Sequence, residues 1–280
     1  MKHPLLLAIT GFLCAQCFGQ TDSSETKANL TLGVVYSNNA NYYGQRAAAN
    51  MPYAAAAANY KFRSGIYFTG MAYKLLNDTG GLVSASNLGA GIAFKLSKLL
   101  GLDLSYSHTF YPTYSPFLQA ANPDNVSAGF TYTNWLSSSV NVDYAFGKTK
   151  DLFVTLGIGK SINLGSIGRK DIITITPAFD VVGGTQHFYQ TYITEKRLRD
   201  SLFGLLLPPL TGDPSSGGST TTTTSTEFNL LSYNFKFPIA YNRTHYMLEA
   251  ACQVSVLGRK AESGAGKTNT FVSFSFYYQF

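Results

Sequence analysis

Charge is scarce in this 280-residue sequence, with only 13% Asp, Glu, Lys and Arg, and the chain carries just three cysteines and one tryptophan. Cys14 and Cys17 both fall within the first twenty residues, which leaves Cys252 alone in the rest. A disulfide framework and a cysteine metal site are therefore excluded. No later stretch supplies the roughly 20 uninterrupted apolar residues of a spanning helix. Metal-ligand spacing and a phosphate-cradling glycine loop are absent, so neither a metal nor a cofactor is expected. The formal charge of +6 is scattered, with Arg259, Lys260 and Lys267 as its densest group. Without a basic stripe or a stacking platform, nucleic acid is not an expected partner.

What is present is apolar and aromatic: 45% of the residues are hydrophobic, including 20 Phe and 19 Tyr. The opening "MKHPLLLAITGFLCAQCFGQ" sets Lys2 before an apolar stretch that ends in small residues. This reads as a secretory leader over 1–19, cleaved before Gln20, and its apolar core is too short to span a bilayer. Neither leader cysteine sits in a lipobox, so an exported, unlipidated chain over 20–280 is expected.

The final "FVSFSFYYQF" alternates strictly, with Val272, Phe274, Phe276, Tyr278 and Phe280 on one face. That is the period of a strand. An unbroken apolar face suits the lipid side of a transmembrane barrel, with the polar face toward the lumen. A terminal Phe280 resembles the signature that barrel-insertion machinery reads, which makes that machinery and outer-membrane lipid the expected partners. The same alternation recurs in "NLTLGVVYS", "NLGAGIAFKL", "LDLSYSHTF", "VSAGFTY", "VNVDYAF", "LFVTLGI", "ITITPAF" and "LSYNFKF".

Twelve strands are predicted, at about 28–37, 52–62, 64–75, 86–97, 101–110, 125–134, 135–146, 151–160, 171–182, 228–239, 243–256 and 270–280. The fold expected is all-β, a single antiparallel transmembrane barrel. Tight turns near Arg63, Lys98, Trp135 and Asn242 alternate with long loops, as short periplasmic turns and long outer loops do. The short link 147–150 and the long one 161–170 depart from that pattern, and either face of 64–75 could meet lipid. Aromatics mark the predicted strand ends: Phe62, Phe94, Tyr132, Trp135, Phe237 and Phe280 inside, Tyr36, Phe110 and Phe146 outside.

The longest insertion, about 183–227, is the fifth outer loop. A helix is expected over Thr194–Leu207, stopped by Pro208 and Pro209. Leu198, Leu202, Leu205 and Leu206 share one face of it and either fold into the mouth as a constriction or lie across the rim. The inferred lumen positions are mostly small, which predicts a narrow wet passage in a barrel of this size. Lys61, Lys95, Asp103, Asn141, Asp143, Asp180, Lys236, Glu249 and Gln253 line it, either as a polar path or as charges that close it by pairing. Lys236 with Glu249 is the expected pair.

Catalysis is not expected. Lipid hydrolysis on the outer face of such a barrel requires a serine beside a histidine on that face. His108 has Tyr106 and Phe110 as same-face neighbours, while Ser105 and Ser107 point inward.

The segments "YSNNANYYGQRAAANMPYAAAAANYKFRSGIYFTGMAYKL", "ITPAFDVVGGTQHFYQTYITEKRL" and "LLSYNFKFPIAYNRTHYMLEAACQVSVLGRK" resemble uncharacterised porin-like outer-membrane barrels of Bacteroidota. The resemblance implies a fold and a bacterial outer-membrane location and carries no functional residues across. A passive channel for small hydrophilic solutes is the function expected from the lining. A sealed barrel that displays its loops for structural or adhesive purposes is the alternative.

Overall fold

The computed structural model describes residues 28–78, 81–112, 115–189, 227–261 and 266–280. Both the expected leader and the expected helix with Leu198, Leu202, Leu205 and Leu206 lie outside them. The strands are β1 (Asn29–Ser37), β2 (Tyr53–Lys61), β3 (Ile66–Leu75), β4 (Ala85–Lys95), β5 (Leu100–Phe110), β6 (Asp124–Thr133) and β7 (Ser137–Phe146). They continue as β8 (Lys150–Gly159), β9 (Ile162–Gly165), β10 (Asp171–Ile175), β11 (Ala178–Gly184), β12 (Asn229–Arg243), β13 (Tyr246–Leu257) and β14 (Thr268–Gln279).

Each wall strand pairs antiparallel with its sequence neighbour, and β14 returns to β1, with Val34 opposite Phe276. The result is a closed twelve-stranded antiparallel barrel in which β10 and β11 count as one interrupted wall strand. Closure leaves no sheet edge in the wall, the condition for a sheet to stand in hydrocarbon.

The interruption is chemical. Pro177 has no N–H to give, and its carbonyl accepts from Lys160 N at 3.1 Å, while Pro238 of β12 accepts from Thr176 N at 3.0 Å. With both prolines at one junction the ladder breaks. Above the break β11 pairs with β8; below it β10 pairs with β9. The predicted strand 171–182 is thus two strands. The long inner link 161–170 is a hairpin extension rather than a coil, since β9 folds back along β10.

The short outer link is explained by what covers it. Lys148 N donates to Ala121 O at 2.9 Å, so the turn sits under the third outer loop, which carries a short 3-10 turn at Leu118–Ala121.

Side chains on the outward face form an exposed apolar belt that includes Val34, Phe68, Leu88, Leu104, Phe130, Leu156, Ile239 and Phe276. Residues 64–75 turn Ile66 and Phe68 outward and Tyr67, Met71 and Tyr73 inward, which settles their facing. One inner-girdle expectation fails. β12 runs on to Arg243, so Phe237 lies in mid-strand rather than at an end.

Candidate functional site: the barrel lumen and its inserted loop

The buried apolar core of this barrel lies inside the bore. Loop 1, residues 38–52, folds inward from β1 and β2, and its Asn-rich start ties down the base. Asn39 Nδ2 donates to Asn50 Oδ1 at 2.7 Å, Met51 N donates to Asn39 Oδ1 at 3.0 Å, and Val272 N donates to Asn38 Oδ1 at 2.8 Å.

The tip is a tight turn in which Tyr42 and Gln45 exchange both backbone hydrogen bonds at 2.9 Å. Tyr43 and Gly44 between them have φ of 52° and 83°. Two successive left-handed residues are what a primed hairpin turn demands. At Gly44 space is also decisive: a Cβ would meet Ser232 Oγ at 2.6 Å and Asn234 Oδ1 at 2.7 Å.

From this tip the side chains reach the far wall. Tyr43 stacks on Phe153 of β8 with ring centroids 3.8 Å apart, and Tyr42 meets Phe188 edge-on at 4.8 Å. The Tyr43 carbonyl accepts from Ser232 Oγ of β12 at 2.8 Å. The Gly44 carbonyl accepts from Asn269 Nδ2 of β14 at 3.0 Å. Gln45 Nε2 donates to Gln186 Oε1 at 3.0 Å. The hydroxyls of Tyr42 and Tyr43 bond to Asn122 and Asp143. Burial raises both phenols well above their ordinary range, reinforced by the charge of Asp151 at Tyr42 and of Asp143 at Tyr43. Tyr111, in the third loop, is raised likewise by burial.

Asp151, at the start of β8, is the second fixed point. Its carboxylate accepts from Asn122 Nδ2 at 2.7 Å, Thr185 Oγ1 at 2.7 Å, His187 N at 2.8 Å and Phe188 N at 2.9 Å. It ties the third loop to the start of the fifth and brings Phe188, fully buried, against Tyr42.

The lumen below and around the loop tip is polar. Lys61 and Lys95 stand at the inner ends of β2 and β4, and Asp103 accepts from Tyr67 Oη at 2.9 Å. Asn141 faces inward from β7, and Asp143 is bonded to Ser127 and Tyr43. Gln253 Nε2 donates to Asn234 Oδ1 at 3.1 Å and to Ser255 Oγ at 2.8 Å.

The expected Lys236–Glu249 pair does not form. The register sets Lys236 opposite Gln253 and Glu249 opposite Ala240, four residues along β12. Lys236 instead makes an ion pair with Asp180 of β11 at 2.5 Å, a charge contact without hydrogen-bond alignment. Glu249 makes no ion pair among the described residues.

Small lining residues do not all leave open space. A Cβ on Gly91 would meet the Tyr67 ring at 2.4 Å, and one on Gly33 would meet the Tyr277 ring at 2.4 Å. Those glycines are floors on which a neighbouring strand's tyrosine lies. Together with loop 1 they narrow the passage that composition alone predicts.

The residues missed by pattern reading are Tyr42, Tyr43, Gly44, Gln45, Asp151 and Phe153. One signal was present, a Tyr-Tyr pair followed by glycine in the middle of a loop. Aromatics in such a setting need a buried destination.

On the outer wall His108 is paired across β5 and β6. Its Nδ1 lies 2.7 Å from Asp124 Oδ1, the oxygen that also accepts from Tyr106 Oη at 2.6 Å. This cluster sits at the outer end of the apolar belt.

No family model matches the chain, and no curated protein does. Solved structures do resemble it. A KdgM porin aligns over 90% of this chain and 99% of its own at 9% identity with a TM-score of 0.48. A bacterial polysaccharide outer membrane secretin aligns over 92% and 100% at 8% identity and 0.47. The COG4313 outer membrane channel from Pseudomonas putida F1 aligns over 94% and 98% at 10% identity and 0.45. The strand pairing, rather than these distant likenesses, establishes the barrel.

Proposed function

We propose that the chain is a bacterial outer-membrane channel for small hydrophilic solutes in which loop 1 forms the constriction. The observation that carries this reading is the division of the lumen. A polar vestibule bearing Lys61, Lys95, Asp103, Asn141, Glu249 and Gln253 ends against a loop tip held by single side-chain contacts, not by a strand ladder. A loop secured in this way can be displaced without breaking the wall. In this reading the leader 1–19 is removed, the apolar belt meets outer-membrane lipid, and the strand ending at Phe280 is what the insertion machinery engages.

A second reading, a sealed barrel that displays its loops, draws on the complete burial of Phe153 and Phe188 against Tyr42 and Tyr43. Single-channel conductance in planar bilayers separates the two. The chain is compared with a variant whose tip, 41–46, is replaced by Gly and Ser, and with one lacking 194–225. Steady or gated conductance that rises in the tip variant supports the constricted channel. Conductance that rises only in the 194–225 deletion moves the constriction to the fifth loop. Silence in all three folded proteins supports the sealed barrel.

A further inference from the structure

The two rims of the barrel differ in charge. The inner connections 62–65, 96–99, 134–136, 160–170 and 244–245 contain no Asp or Glu. Exposed there, or on the adjoining strand end, are Arg63, Lys98, Lys160, Arg169, Lys170 and Arg243. These six make no ion pair among the described residues. Asp171, opposite Arg243 in the β10–β12 register, acts on it by its charge and is also engaged by Gly168 N at 2.7 Å and Tyr241 Oη at 3.0 Å. The outer rim also carries exposed basic groups, Lys150, Arg259 and Lys267, but there carboxylates stand among them: Lys74 donates to the Asp78 and Gly81 carbonyls at 2.8 and 2.7 Å, and Lys260 pairs with Glu227 at 3.2 Å.

The basic groups are interleaved with exposed apolar side chains at the same level: Ile167 is 79% exposed, Trp135 71% and Phe280 68%. Lys160 Nζ lies 5.4 Å from the centre of the Trp135 ring, and Arg243 lies 6.0 Å from that of Tyr246. A cationic head held beside an exposed aromatic ring, as Lys160 is at Trp135 and Arg243 at Tyr246, is placed for a water–lipid boundary.

We infer that this inner rim is a headgroup site for anionic phospholipids of the adjoining leaflet, a belt that selects phosphate-bearing, net-negative lipid around the barrel. The inference rests on the membrane-spanning reading above. Its distribution favours lipid over a docked acidic protein. The basic residues come from the β2–β3, β4–β5, β8–β10 and β12–β13 connections, so they surround the circumference, whereas a protein partner would cover one side. The belt also continues directly from the apolar outer face, and positive charge at that boundary attracts anionic lipid within a Debye length.

The test uses the mature chain folded in bilayers of phosphatidylcholine with a minority of phosphatidylglycerol. Lipids retained after gentle extraction are counted by native mass spectrometry. Two variants accompany it: Arg63, Lys98, Lys160, Arg169, Lys170 and Arg243 all changed to Gln, and Arg169→Gln with Lys170→Gln alone, which touches only an exposed turn. An outer-rim control changes Lys148 and Lys267 to Gln.

The expected result is phosphatidylglycerol enriched over its bulk fraction by at least roughly fivefold, about the factor one basic residue near an anionic surface supplies. The enrichment falls stepwise in the two inner-rim variants, falls with added salt and survives the outer-rim change. Retention at the bulk ratio, the outcome an acidic protein site predicts, overturns the proposal. So does enrichment that the inner-rim variants leave intact. A chain that inserts into neither this bilayer nor pure phosphatidylcholine overturns the membrane reading itself, a different failure.

Discussion

The ring of Tyr43 lies on that of Phe153 with centroids 3.8 Å apart and planes 14° from parallel, joining a loop launched by β1 to strand β8 on the opposite wall. This contact spans the bore, so it links the stability of the loop to the patency of the lumen. Phe153→Ala removes the platform on which Tyr43 rests and leaves a cavity beside Tyr42 and Phe188. A loss of about 3–5 kcal/mol is expected for such a truncation. Urea unfolding of the refolded barrel checks the magnitude. If Tyr43 holds the constriction, conductance rises in the same variant; unchanged conductance at reduced stability assigns the pair to packing alone.

Gly44→Ala tests the turn. The residue has φ of 83°, and a Cβ there would meet Ser232 Oγ and Asn234 Oδ1 at under 3 Å. Left-handed backbone strain of about 1–3 kcal/mol adds to that clash. The tip should withdraw while the wall persists. Amide exchange should therefore quicken at 42–45 and remain slow in β1 and β14. Uniformly faster exchange would mean that the tip and the wall unfold as one unit.

How much of this was legible in sequence follows from which interactions are local. "NLGAGIAFKL" alternates by itself and is β4, and "FVSFSFYYQF" alternates and is the end of β14. A two-residue period is a local property, so the wall could be read almost throughout. The Tyr43 position could not, because its partners Phe153 and Ser232 lie more than a hundred residues away and neither belongs to a recognisable motif. Lys236 failed for a narrower reason. Face was assigned correctly by parity, but the tight β12–β13 turn sets a register that slides Glu249 past it, and parity says nothing of register. The split at Pro177 was announced by the proline and overlooked, since the alternation of "ITITPAF" runs through it.

The Lys236–Asp180 pair predicts asymmetric losses. Both side chains are nearly buried, so removing one strands the other's charge in the wall of the lumen. Lys236→Met or Asp180→Leu alone should each cost about 3–5 kcal/mol, whereas the double replacement should be close to neutral. Equal, additive losses in a double-mutant cycle would show that water in the vestibule already screens the two charges.

Asp151→Asn leaves the size of the side chain unchanged and takes away one acceptor's charge. The carboxylate serves the backbone N–H groups of His187 and Phe188 together with Asn122 and Thr185. Hydrogen bonds to a charged acceptor are worth about 1.5–3 kcal/mol, and an amide cannot satisfy all four donors. The start of the fifth loop should loosen, read as faster amide exchange at 185–189 and as earlier protease cleavage beyond Tyr189. Exchange unchanged at those residues would transfer the anchoring role to the Tyr42–Phe188 ring contact.

Alkaline pH offers a way to move loop 1 without mutation. Burial raises the phenols of Tyr42, Tyr43 and Tyr111 well above the ordinary range of a tyrosine. A group whose pKa is higher when inserted than when released favours insertion fully below the released value and loses that preference as pH rises toward the inserted one. Insertion is therefore insensitive to these groups at neutral pH and weakens above about pH 10, where the released phenols ionise. The backbone ladders of the wall do not depend on these three phenols, so the wall should outlast the loop. Tyrosinate absorbance should then show a late, cooperative step in the wild type, accompanied by a rise in conductance. A Tyr42→Phe/Tyr43→Phe variant should lose most of that step. Conductance that stays flat through the absorbance step would separate loop release from opening and favour the sealed barrel.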